Sequence, residues 1–77
     1  QAIVDGRAVG LCHLVLGANA FEAGDVTQST YHLERAFEAL PNADIVANNL
    51  AWTLIQIDPP EARRALGLIE PVVARNP

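Results

Sequence analysis

Leu16-Gly17 recurs as Leu50-Ala51, 34 residues later, and a proline closes each stretch, Pro41 the first and Pro77 the second. A near-repeat of this length is one supersecondary unit that cannot bury its apolar face alone, so it must stack on a neighbour. The chain is therefore constrained to a short stack of like units. Such stacks offer extended surfaces that hold partners and need no chemistry of their own.

Residues 1–77 make a single small domain. A chain of this size buries only about 60% of the surface its unfolded form exposes. Yet 51% of its residues are apolar, so part of the apolar surface is expected to stay exposed or to be covered by another chain. The net charge is −4, there is no Lys, and the five Arg are scattered along the chain. No basic stripe exists to follow a phosphate backbone or an anionic bilayer, which argues against nucleic acid and membrane as partners. The longest apolar stretch, Ala8 to Phe21, is interrupted by Gly10, His13, Gly17 and Asn19 and falls short of the ~18–20 apolar residues that span a bilayer. A single cysteine, Cys12, forms no internal disulfide and points to no compartment. The chain opens on Gln1 and stops at the close of a unit, and reads as a piece of a longer protein.

Pattern and punctuation predict four helices and no strand. The first runs from Gly6 to Ala23, with Asp5 as N-cap and Gly24 past its end, where a left-handed conformation is cheap. The second runs from Val26 to Leu40. Asp25 caps it, Gln28 stands three residues on as in a capping box, and Pro41 stops it. The third covers Ala43 to Ile57, with Asn42 or Asp44 at its start. The fourth is predicted to open at Asp58-Pro59-Pro60-Glu61, with Asp58 as N-cap and Pro59 in the first turn, and to end near Arg75. Short connections between apolar-striped helices imply two antiparallel hairpins packed in series.

These residues carry a family resemblance. The stretch 10–43 resembles a tetratricopeptide repeat: Leu16-Gly17 fill its Leu-Gly pair, Ser29 and Leu33 its A-x3-F slots, Gly24-Asp25 its turn and Pro41 its close. His13 stands where Trp is common and Ala20 where Tyr is common. The stretch 44–77 resembles a second unit through Leu50-Ala51, Ala65, Ile69 and Pro77, with Ala47, Leu54 and Val72 at the remaining slots. The front halves lie 34 apart and the closing prolines 36 apart, which places a two-residue insertion near 58–60. The resemblance implies an all-α fold, two helix-turn-helix hairpins stacked as a right-handed superhelix. It assigns Leu16, Ala20 and Leu33 to the interior of the first hairpin and Ala47, Leu50, Leu54, Ala65 and Ile69 to that of the second, with Gly17 and Ala51 admitting the paired helix.

The resemblance also implies a function: a scaffold that holds a protein or peptide partner on the concave face lined by the first helix of each hairpin. By helical spacing that face carries Leu11, Leu14, Ala18, Phe21 and Glu22, then Ile45, Asn48, Asn49, Trp52, Ile55 and Gln56. Large rigid side chains dominate interface energies, so Phe21, Trp52 and Ile55 are the expected anchors. Asn48 and Asn49 carry both donors and acceptors for a peptide backbone. The carboxylate-binding variant of the family uses Lys, and Leu14 stands where that Lys is expected. The alternative reading is self-assembly, with apolar helix faces pairing between copies into a homo-oligomer.

Chemistry is not expected. Cys12 and His13 are adjacent and point about 100° apart on a helix, His32 belongs to another helix, and no grouped third or fourth ligand completes a metal site. Cys12 falls in an apolar stripe, where burial would leave it inert. There is no glycine-rich phosphate loop, and Asp25, Glu34, Glu38, Asp58 and Glu61 read as caps and solvated surface. Neither an enzyme activity nor a cofactor follows from these residues.

Overall fold

The computed structural model describes residues 6–75 and forms them into four α-helices, with no strand among the described residues. These are α1 (Gly6–Glu22), α2 (Val26–Ala39), α3 (Asp44–Gln56) and α4 (Ala62–Arg75). The fold is all-α. The expected Asp5 cap and the closing Pro77 lie outside the described residues.

The first connection is dictated by local chemistry. Gly24 sits at φ +83°. Its N–H donates to the Phe21 carbonyl, and the Asp25 N–H donates to that of Ala20. Those two bonds make a Schellman closure, which glycine enters without a Cβ penalty. Asp25 then starts α2, its carboxylate accepting from the Gln28 N–H at 3.1 Å. Only this half of the expected capping box forms, because the Asp25 N–H is already committed to Ala20. Three residues thus end one helix and begin the next.

Two helix starts differ from expectation. Ala43 is the N-cap of α3 and contributes no side-chain bond. Asp44 instead occupies the first turn, where a carboxylate faces the positive end of the helix dipole, and it pairs with Arg75 at the far end of α4. The fourth helix opens at Ala62 rather than at Asp58-Pro59. Pro60 disfavours helical geometry at Pro59, so Pro59 does not serve as the first helical residue and Asp58 has no helix start to cap. The Asp58–Pro59 peptide is cis. The Glu61 N–H donates to the Leu54 carbonyl, and the Glu61 carbonyl accepts from Ala65, placing Glu61 at the helix entrance.

α1 packs on α2, α2 on α3 and α3 on α4, and α1 also touches α3. The first pair is antiparallel: Gly10 lies against Ala39 and Leu40, and Gly17 against Leu33. A Cβ on Gly17 would fall 2.7 Å from Leu33 Cγ, so the missing side chain is what lets α2 approach. Ser29 uses the same closeness and donates its hydroxyl to the buried Gly17 carbonyl at 2.9 Å. The core runs through Leu33, Leu50, Ala51, Leu54 and Ala65, with Leu14, Phe37, Ile57, Leu68 and Ile69 packed around it. The Cα envelope measures 42 × 30 × 15 Å. A 15 Å thickness is that of two helical layers, given an interaxial spacing of ~10 Å.

Two assignments are corrected by the packing. Leu16, expected inside the first hairpin, is 48% exposed, whereas Leu50 at the matching position is fully buried. Cys12, expected to be buried, is exposed. In both cases the face concerned points away from α2, and no helix lies beyond it among the described residues. Ala20 is half-buried, and the interior positions assigned to the second hairpin are buried except Ile69, which is half-buried.

Gly67 lies inside α4, and a Cβ there would meet nothing within 4 Å. No turn, close approach or positive φ requires glycine at this position. Gly67→Ala is therefore expected to stabilise the fold by about 0.5–1 kcal/mol through lost backbone freedom in the unfolded chain. Thermal or urea unfolding followed by circular dichroism checks the sign.

Candidate protein-binding groove

Helices α1 and α3 form the walls of a groove of ≈ 640 Å³, with Leu33 of α2 and Thr53 of α3 among its lining. The groove brings together Ala18, Phe21 and Glu22 from α1 with Asn49, Trp52 and Gln56 from α3. This composition follows from the helix spacing. Ala18, Phe21 and Glu22 fall on one face of α1, and Asn49, Trp52 and Gln56 recur at three and four residues along α3. Trp52 is 56% exposed and Phe21 40%, so two large aromatic side chains stand at the groove with much of their surface open. Buried Leu33 and Thr53 keep the base rigid. The Thr53 hydroxyl is spent on the Asn49 carbonyl at 2.9 Å, which fixes Thr53 without using the Asn49 amide.

Trp52 also lines a second hollow of ≈ 400 Å³ with Asn48, Ile55, Leu66 and Ile69. It stands on the ridge between the two. Six of the eleven residues placed on the partner face by spacing line the first groove, and Asn48 and Ile55 line the second. The remaining three line neither. Leu14 packs against the core, and Leu11 and Ile45 are exposed near the starts of their helices.

A third depression of ≈ 650 Å³ lies over α2 and the start of α4, lined by Thr27, Thr30, Tyr31, Glu34, Arg35, Glu38, Ile57 and Arg64. Its charges are paired within the molecule. Arg64 reaches both carboxylate oxygens of Glu34, at 2.7 Å for Nη1, and Arg35 holds Glu38. The hydrogen bond to Glu34 and the charges of Glu34 and Glu61 raise the Arg64 pKa above its ordinary value, against a lesser effect of burial. A ligand here would have to displace satisfied ion pairs, whereas the groove under Trp52 presents apolar surface and amides. The second is the better binding surface.

One constellation was not legible from spacing. His13 and His32, on different helices, meet with their Nδ1 atoms 3.0 Å apart and their rings stacked at 28°. Tyr31 sits edge-on to both rings, and the Arg35 guanidinium lies 6.0 Å from the Tyr31 ring centre. An imidazole pair bonded through two nitrogens needs one ring to donate and the other to accept. The antiparallel register of α1 and α2 about the Gly24 turn carried the signal, since it brings the two histidines to neighbouring levels. Among the described residues no group of three or more His, Cys, Asp or Glu is placed to hold a metal ion, and no helix is long and apolar enough to cross a membrane. The ring contacts tie α1 to α2. No protein-family model, curated protein or solved structure matches the chain.

Proposed function

We propose that the chain is a protein-interaction scaffold of tetratricopeptide type, its helices stacked as a right-handed superhelix, and that it binds a peptide or protein segment in the groove between α1 and α3. It performs no catalysis. The observation that carries this reading is the pairing of Phe21 and Trp52, both exposed, across one groove with a rigid apolar base. Solvated aromatics cost a small domain solubility, and they are the side chains that contribute most when an interface covers them. Asn49 and Gln56 supply amides that can pair with a peptide backbone, and Glu22 adds one negative charge at the edge.

Helix spacing supports the tetratricopeptide reading. α1 and α3 end at Glu22 and Gln56, 34 positions apart, while α2 and α4 are each 14 residues long and start 36 apart, at Val26 and Ala62. The longer connection 57–61 accounts for the difference. Contacts repeat as well. Gly10 meets Ala39, and the corresponding Asp44 meets Arg75.

Selection of displayed random peptides on the folded chain tests the proposal. Peptides so recovered should bind Trp52→Ala at least about tenfold more weakly, which is ~1.4 kcal/mol. Far-UV circular dichroism should be unchanged, because Trp52 is largely outside the core. Undiminished binding by Trp52→Ala with helicity retained would rule the groove out.

A further inference from the structure

α1 and α3 correspond position by position, yet one face of them differs in burial. Val46, Leu50 and Thr53 of α3 are 0%, 0% and 1% exposed. Their counterparts 34 residues earlier on α1 are Cys12, Leu16 and Asn19, and all three are exposed. The difference has a visible cause: α2 packs against α3, and among the described residues no helix packs against the matching side of α1. Around Leu16 the uncovered surface extends to Val9 and Val15. From Ala8 to Ala20 the helix carries no Asp, Glu, Lys or Arg. A helix apolar on all sides is one built to be covered on all sides.

The other end of the molecule offers the complementary surface. On α2 the stripe Val26, Thr30, Leu33 and Phe37 is buried or half-buried. Its counterparts 36 residues later on α4 are Ala62, Leu66, Ile69 and Val73. Leu66 and Val73 are each 59% exposed and Ala62 is exposed as well. Thus α1 and α4 present, uncovered among the described residues except for half-buried Ile69, counterparts of the two faces that α3 and α2 pack together.

We infer that a second copy of this chain docks end to end, the α4 stripe Leu66–Val73 of one molecule against the α1 stripe Cys12–Leu16 of the next, reproducing the internal α2–α3 packing. The α1 stripe and Val73 lie outside the groove between α1 and α3, while Ala62, Leu66 and Ile69 share the neighbouring hollow with Trp52. Because the two patches differ, the contact is heterologous. It leaves a free patch at each end of every dimer, so assembly continues with concentration instead of stopping at two. The internal contact supplies the occupant's identity: an α4-type helix is what fits an α1-type face, since α2 on α3 is such a pair. No like charges oppose the approach, as the α1 patch is uncharged.

Sedimentation velocity across low micromolar to several hundred micromolar concentration tests this. The wild-type chain should show an average mass that rises past that of a dimer without a plateau. Leu16→Glu, which blocks the α1 patch, and Leu66→Glu/Val73→Glu, which blocks the α4 patch, should each sediment as monomers with helicity kept, since Leu16 is 48% exposed and Leu66 and Val73 are each 59% exposed. Mixed together, the two variants should form a one-to-one dimer and nothing larger, because each retains the patch the other lacks. A wild-type chain that stays monomeric over the whole range overturns the proposal. So does a wild-type dimer that plateaus, or a variant mixture that stays monomeric. A second readout needs no substitution. Cys12 is the sole cysteine, and its alkylation by a maleimide should slow in proportion to the associated fraction. A rate independent of concentration contradicts the docking.

Discussion

Leu50→Ala is expected to destabilise the chain by about 2–5 kcal/mol, the range for deleting a fully buried leucine from a packed core. Leu50 is 0% exposed and lies in the central cluster with Leu33, Ala51, Leu54 and Ala65. A domain of this size has a folding free energy of the order of 5 kcal/mol, so the variant should be largely unfolded at room temperature or close to it. The informative comparison is Leu16→Ala. It removes the same side chain from the matching position of the first hairpin, where about half of it is already in water. Its expected cost is about 1 kcal/mol or less, because only the buried fraction of the transfer free energy is lost. Urea denaturation of both variants, at a concentration low enough to keep the chain monomeric, measures the two costs. Equal costs would mean that the two hairpins bury their corresponding leucines alike, contrary to the structure.

Gly17→Val should destabilise by about 1–3 kcal/mol, the usual range for overpacking a close contact. The added Cβ alone would lie 2.7 Å from Leu33 Cγ, 2.9 Å from Cδ2 and 3.3 Å from the Leu33 backbone N. The first two could be relieved only by moving a leucine that is 1% exposed and locked in the core. The third requires α2 to shift as a body, and that shift would lengthen the Ser29 hydroxyl bond to the Gly17 carbonyl. A branched side chain adds two methyl groups to the same gap. The normal gain from replacing a helical glycine is about 0.5–1 kcal/mol, too small to offset this. Gly67→Ala provides the matched control, with open space where Gly17 has Leu33. The two substitutions should move the urea midpoint in opposite directions.

Local chemistry made the first connection readable. Gly24 and Asp25 each have one strong preference, and the chain satisfies both within three residues. The start of α4 was misread because Asp58 and Pro59 carry helix-entry signals individually, while the second proline denies helical geometry to the residue before it. The groove was legible in part. Trp52, Phe21 and their neighbours share a face by helical arithmetic, but Leu14 follows the same arithmetic and packs on the core instead. Spacing fixes a direction around the helix axis and leaves open what lies in that direction. Leu16 and Cys12 make the same point more sharply. They occupy positions that are buried at Leu50 and Val46, and only the packing order of the helices reveals that they stay exposed. His13 and His32 meet through the register of α1 against α2, which depends on how closely Gly10 and Gly17 let the helices approach.

The two proposals assign the exposed apolar surface different roles. Phe21 and Trp52 line the groove, Cys12, Leu16 and Val73 lie outside it, and Leu66 shares the neighbouring hollow with Trp52. End-to-end docking as proposed would bring several grooves into one assembly. Avidity for a repetitive or extended partner would then rise with protein concentration. The groove remains the central element of this account. Trp52 is the chain's single tryptophan, so its indole N–H gives one resolved signal in a nitrogen–proton correlation spectrum of the labelled chain. Titration with a peptide selected on the folded protein should shift that signal together with the amides of Phe21, Asn49 and Gln56, and leave Thr27, Tyr31 and Glu38 on the polar face over α2 unmoved. Shifts confined to that polar face, with the Trp52 indole unchanged at saturation, would contradict the account.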